Sequence, residues 1–222
     1  MFKKQNYKII KNVIDKKLAF FLYNYLNIKR NVTNILFNEK YISPFETIHG
    51  VFKDPQVPGS YAIYGDVAMD TLLAGVQPLM EEYTNLKLYP TYSYARVYSK
   101  GNILKRHKDR FSCEISTTMN LGGDVWPIYI EPDEKKGSFK NGKYVPSKSK
   151  GIKVILNPGD MLIYKGNILE HWRNKFNGNN CVQVFLHYNK KTKKGKDNLF
   201  DGRPNLGLPP SFNSINGYKN KK

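Results

Sequence analysis

Three side chains in this sequence have the types and spacing to hold one metal ion. His107 and Asp109 form a His-x-Asp pair within Leu104-Lys105-Arg106-His107-Lys108-Asp109-Arg110, and His171 stands 62 residues beyond Asp109. In an extended segment residues i and i+2 point to the same side, so His107 and Asp109 can take adjacent positions on one ion. A third ligand from a distant strand leaves half of an octahedral sphere open. That suits Fe(II), which must bind a co-substrate and O₂ on one metal. Zinc is the rival ion, but zinc sites draw more often on cysteine or further histidines, and neither Cys113 nor Cys181 has a ligand-like spacing. His-x-Asp alone arises often by chance, so its weight comes from the segments around it.

Those segments must bring the three residues together. Residues 13–37 carry Leu18, Phe21, Leu22, Tyr25 and Leu26 at helical spacing, with Asp15 as the N-cap. Residues 65–84 predict a second helix, capped by Asp66, with Pro78 as a kink or break. Both precede the strands and are expected to pack on one face of a sheet. From Leu88 the pattern changes to period two. Short runs follow at 92–98, 103–109, 112–121, 126–130, 154–156, 161–164, 169–173 and 181–188, separated by Gly, Asn and Pro turns such as Asn157-Pro158-Gly159-Asp160. About eight short strands so spaced predict a mainly β protein with N-terminal helices, its strands closing into a double sheet of the jelly-roll or cupin type. The expected division is an N-terminal helical segment over 1–87, a barrel core over 88–189 and a basic, loosely ordered tail over 190–222. The Lys-rich stretch 137–150 reads as an exposed loop or hairpin.

At 222 residues the chain can bury one substantial core. No apolar run approaches the length of a membrane span, and residues 1–6 lack a signal-peptide pattern. Two cysteines without a framework pattern are expected as free thiols in a reducing cytoplasm. The net charge of +18 admits a nucleic-acid partner, but Lys and Asn are abundant throughout, so the charge also reads as a compositional habit.

With these residues in view, a family resemblance emerges. Tyr94-Ala95-Arg96-Val97-Tyr98, Gly101, Leu104, His107-x-Asp109, Leu121, Pro158-Gly159-Asp160 and His171 together resemble the Fe(II)/2-oxoglutarate-dependent dioxygenases, in particular the prolyl 4-hydroxylase-like branch. The resemblance covers residues 88–188. It implies a double-stranded β-helix with His107, Asp109 and His171 as iron ligands and Tyr98 lining the 2-oxoglutarate pocket. It implies Fe(II), 2-oxoglutarate and O₂ as reaction partners, with ascorbate as a candidate reductant. The expected reaction is hydroxylation of a C–H bond, in a prolyl residue of a peptide or protein, with release of succinate and CO₂. The alternatives are an oxygenase acting on a nucleic-acid base or small metabolite, and a non-catalytic ligand-binding jelly roll.

The sequence departs from that family at one point. A cation is usual about ten residues after the distal histidine, to pair with the far carboxylate of 2-oxoglutarate; this chain has Asn180-Cys181-Val182-Gln183. A buried carboxylate needs a positive partner. Arg173, two residues after His171, would point into the barrel on a strand and can bind a carboxylate through two parallel hydrogen bonds. Gln183 is expected to assist, with Arg96 and Lys105 as further candidates. Arg110 and Glu114 are expected to pair with each other. Trp126, Trp172 and His187 read as core or rim residues, and His49 as a solvated loop histidine. Residues 135–150 are expected to form a lid over the substrate.

Overall fold

The computed structural model describes residues 2–140 and 143–212. In chain order its elements are α1 (Phe2–Gln5), β1 (Tyr7–Ile10), α2 (Lys16–Asn38), β2 (Tyr61–Tyr64), α3 (Val67–Thr84), β3 (Leu88–Ser99), β4 (Leu104–His107), β5 (Ile115–Gly123), β6 (Ile128–Ile130), β7 (Ser138–Lys140), β8 (Lys143–Val145), β9 (Ile152–Val154), β10 (Met161–Tyr164), β11 (His171–Arg173), β12 (Asn180–Lys190) and α4 (Lys193–Lys196). A six-stranded sheet runs β1-β10-β5-β12-β3-β2 and a four-stranded sheet runs β4-β11-β6-β9, while β7 and β8 form a separate hairpin. The strand pairings are antiparallel.

Period-two alternation gives the large sheet two different faces. Ile115, Met119 and Leu121 of β5, Met161 and Ile163 of β10, and Val182, Val184, Leu186 and Tyr188 of β12 pack with the helices in the main core. Leu22 and Leu26 of α2, with Met69, Leu73, Val76 and Met80 of α3, supply the other side of that core. The intervening positions, among them Ser116, Thr118, Gln183 and His187, point the other way, toward the small sheet. Two smaller apolar clusters close the space between the sheets, one around Ile128, Ile130, Leu162 and Tyr164, the other around Tyr98, Leu104, Trp126 and Phe176. The polar site is thus enclosed in a barrel whose apolar mass lies behind and beside it.

The helix starts lie where the capping residues place them. Asp15 accepts a hydrogen bond from the Leu18 amide at 2.8 Å, and Asp66 caps α3 through the Ala68 and Met69 amides. Such caps are worth ~1 kcal/mol each. Pro78 lies inside α3 without ending it, because the apolar face on either side of it packs on the sheet.

Two features differ from the sequence expectation. Two four-residue strands, β1 and β2, extend the large sheet at both edges; runs so short, each beside a helix, carry too few alternations to be read. The stretch 137–150 holds the hairpin β7–β8, in line with its reading as a loop or hairpin. The expected loose tail is ordered through residue 212. Arg203, 3% exposed, ion-pairs with Asp70 at 3.1 Å and donates to the Thr91 carbonyl at 3.1 Å. Lysine-rich composition predicts solvation, but here two buried charges tie the segment down. Residues 213–222 of that tail lie outside the described residues.

Candidate functional site

The pairing of β11 with β4 sets His171 directly opposite His107. Asp109 follows two residues beyond His107, where the backbone has left the sheet and the Asp109 amide donates to the Gly166 carbonyl at 2.9 Å. The Nε2 atoms of His107 and His171 each lie 3.4 Å from Asp109 Oδ1. Three donors held ~2.1 Å from one ion on a single face are separated by roughly 3 Å, so the trio has the spacing of a metal site. The donor chemistry also fits. His107 Nδ1 faces the Lys105 carbonyl at 2.7 Å and His171 Nδ1 faces the Leu169 carbonyl at 3.1 Å. Each carbonyl can only accept, so Nδ1 carries the proton and Nε2 presents its lone pair. Burial opposes ionisation of Asp109, but with protons in place of a metal on the two Nε2 atoms the charges and hydrogen bonds of His171 and His107 outweigh it and hold the carboxyl well below its usual range. Gln56 Nε2 sits 3.0 Å from His107 Nε2.

Two neighbours that sequence reading did not single out hold Asp109. Ser116 Oγ donates to Asp109 Oδ2 at 3.1 Å. Gly166 lies so close that an added Cβ would stand 2.4 Å from that oxygen and 2.4 Å from Ser116 Oγ. The readable signals were modest: Ser116 alternates with apolar neighbours on its strand, and Gly166 ends the run after β10. A second trio, Asp109, Cys113 and His187, shares the same carboxylate. Burial and the nearby Asp109 charge keep the Cys113 thiol protonated, which makes it a poor ligand. Burial likewise pushes His187 down to about 4; its Nδ1 lies 3.0 Å from Ser116 Oγ.

A cavity of about 420 Å³ opens from the trio. Its walls include Tyr98, Tyr164, Leu104 and Phe185 on the inner side, and Asp54, Tyr94, Arg96 and Arg110 toward the mouth. Arg173 is not a wall residue. It lies between the sheets at 1% exposure, where Nη2 donates to Thr118 Oγ1 at 3.2 Å and Gln183 Oε1 at 3.2 Å, and Nη1 donates to the Trp126 carbonyl. Its Nε has no hydrogen-bond partner, and no ion pair to it is present among the described residues. Burial lowers its pKa, and the groups that work against this are Cys181, Tyr98 and Tyr164 rather than any carboxylate. Arg173, Gln183 and Tyr98 thus gather at one end of the barrel. Arg96, the other buried candidate, is compensated by Asp54 at 2.9 Å, and Lys105 is exposed.

Several expectations are corrected. Arg110 and Glu114 do not pair: the short 3₁₀ turn Phe111–Cys113 between them sends the two side chains apart. Arg110 instead holds Asp201 through contacts of 2.6 and 2.9 Å, and Glu114 holds Lys190 at 2.8 Å. Among the described residues of 135–150 none lines the cavity. That segment is fastened by buried Glu170, which accepts from Tyr144, Ser147 and Arg106, so it is not a lid in this structure. His49 stays in its loop against Glu46. Trp126 packs edge-on against Tyr98, and Trp172 stacks between Tyr129 and the Arg106 guanidinium. No described helix is long and apolar enough to cross a membrane.

No protein-family model and no curated protein matches the chain. Solved structures do. A Pseudomonas putida prolyl-4-hydroxylase matches with a TM-score of 0.57 at 13% identity, covering 86% of this chain and 96% of that one. HygX from Streptomyces hygroscopicus with nickel and 2-oxoglutarate bound matches at 0.55 and 13% identity, over 86% and 85% of the two chains. EctD from S. alaskensis with bound Fe matches at 0.61 and 15% identity, over 97% and 82%. At such low identity the likeness speaks to architecture alone, and it agrees with the two facing antiparallel sheets described above: the chain folds as a double-stranded β-helix.

Proposed function

We propose that this protein is an Fe(II)- and 2-oxoglutarate-dependent oxygenase that hydroxylates a C–H bond, with a prolyl residue of a peptide or protein as its substrate. The observation that carries the reading is the open-faced trio His107, Asp109 and His171, with both Nε2 atoms 3.4 Å from one carboxylate oxygen. Iron bound there would bring O₂ and the keto acid together and supply the oxidising power for hydroxylation, with release of succinate and CO₂. The chain's own residues supply binding and orientation. Ser116 fixes the Asp109 carboxylate, the two carbonyls fix the histidine tautomers, and the aromatic walls limit access of water to the centre.

Buried Arg173 supports a dicarboxylate co-substrate. A guanidinium out of water without a counter-charge is costly, and the far carboxylate of 2-oxoglutarate would relieve that cost. Gln183 and Thr118 hold the guanidinium, and Tyr98 stands between it and the cavity. The prolyl substrate is supported by the likeness to the Pseudomonas putida enzyme. HygX has also been solved with hygromycin B bound, so the same architecture also binds molecules other than peptides.

Purified protein supplied with Fe(II) and 2-oxoglutarate in air should form succinate, and a proline-containing peptide panel should raise the rate. His171→Ala should abolish it. Protein that forms no succinate under any condition is the non-catalytic jelly roll instead. A second reading, action on a nucleic-acid base or small metabolite, draws on the +18 charge. Stimulation by oligonucleotides that falls steeply with salt would favour the nucleic-acid form of it.

A further inference from the structure

Helix α2 buries one side and, among the described residues, leaves another unpartnered. Its inward positions are Ala19, Leu22, Leu26 and Thr33. At 100° per residue a second stripe, Leu18, Phe21, Tyr25, Ile28, Val32 and Ile35, is centred about 120° around the helix from them. Five of these six are between 42% and 64% exposed; Tyr25 is half-buried because its hydroxyl reaches Asp66 at 2.7 Å. Large apolar side chains standing singly at a surface are ordinary, but a contiguous row is not. The steps along the row are three, four, three, four, three, which is the a/d repeat of a coiled-coil seam.

We infer that this face binds a second copy of the same helix, antiparallel about a two-fold axis, making the protein a dimer. The row reads the same from either end, with its centre between Leu26 and Asn27. Antiparallel pairing therefore sets Leu18 against Ile35, Phe21 against Val32 and Tyr25 against Ile28, and repeats each contact by symmetry. Charge agrees with that direction. The helix has no acidic residue, and its terminal cations Lys16 and Lys17 fall near Glu39 just past the other end of the second copy. Within the helix no cation of one copy lies opposite a cation of the other, and Lys40, which follows Glu39, lies past the end of the seam. A parallel pairing would instead stack Lys16 and Lys17 on themselves.

Size is the limiting term. With a fully exposed large apolar residue at ~200 Å², the five exposed side chains offer about 500 Å² per copy, or about 1,000 Å² in total. That is the lower edge of specific interfaces, so a dissociation constant of about 1–100 μM is expected. The apolar seam predicts a dimer that survives high salt.

Sedimentation velocity of the full chain over a concentration series tests this. The expected result is a monomer–dimer equilibrium with that constant. Ile28→Glu should give monomer throughout, with circular dichroism and melting temperature unchanged, because the residue is outside the core. Lys17→Glu should weaken the dimer at least threefold, and adding Glu39→Lys should restore it. Wild-type protein that is monomeric at every concentration reached overturns the inference. So does Ile28→Glu that still dimerises, or a charge reversal that the second substitution fails to rescue. None of these outcomes depends on iron or on turnover.

Discussion

Arg173 is buried with no carboxylate paired to it among the described residues. It is a guanidinium at 1% exposure with only neutral acceptors around it and an idle Nε. Removing the partner of a buried carboxylate typically costs 2–5 kcal/mol, which is a factor of about 30 to several thousand in binding. Arg173→Ala should therefore weaken 2-oxoglutarate binding to Mn(II)-loaded protein at least about thirtyfold by calorimetry, while Arg96→Ala changes it much less. If Arg96→Ala carries the loss and Arg173→Ala does not, the assignment moves to Arg96. Gly166 makes a different prediction at the same scale. Its Cβ has no room beside Asp109 Oδ2, so Gly166→Ala should push that carboxylate aside and weaken Fe(II) binding about tenfold or more. A folded Gly166→Ala variant that binds metal normally would remove the packing claim.

The elements carry their own consequences. Glu170 sits beside His171 in sequence, but its side chain turns to the outer face of the small sheet. It accepts from Tyr144, Ser147 and Arg106 and so fastens the segment leading from β8 to β9. Asp160, in the turn before β10, is held by Lys11 at 2.7 Å and by the Asn12 and Asn157 amides. Burial raises both pKa values, but these partners outweigh it and leave both below the ordinary carboxylate range. A folded-state pKa below the unfolded one means that stability is fully present above about pH 5 and is lost as pH falls through the folded values. Urea unfolding should therefore be pH-insensitive on this account from neutrality down to about 5, and steepen below it. Asp160→Asn should lower stability at pH 7 and flatten that acid limb; an unchanged limb would show that other carboxylates dominate it.

At the scale of the whole molecule the C-terminal segment closes the structure. Arg203 reaches Asp70 on α3, and Asp201 reaches both Arg110 at the cavity mouth and Tyr64 on β2. Deleting residues 198–222 would leave Asp70 buried without its cation. Breaking such a pair costs about 3–5 kcal/mol, so the melting temperature should fall by ~10 °C. A truncated protein that melts with the full-length one would show the segment to be an ornament. An Arg203→Met, Asp70→Asn double variant should recover part of the loss, since it removes the uncompensated charge.

Most of the barrel was legible because it rests on local periodicity. Alternation along residues 92–98 and 181–188, the Asn157-Pro158-Gly159-Asp160 turn and the Asp15 and Asp66 caps each depend on a few adjacent residues. That His107, Asp109 and His171 meet was expected from residue type and spacing; the pairing of β11 with β4 brings the two histidines face to face, while Asp109 reaches them from just beyond the end of β4 and not from a shared strand face. Other features were decided by tertiary structure because they join residues far apart in the chain. Arg110 chose Asp201, 91 residues away, over nearby Glu114. The edge strands β1 and β2 exist because the large sheet offers them open backbone partners. The C-terminal segment is held against α3 as far as the described residues run, because Arg203 meets buried Asp70. Sequence alone determined which residue types line each strand and cap each helix, since those preferences act over a turn or two. Only the closed barrel decided which charges meet, because a buried charge is settled by whatever partner the whole fold brings within reach.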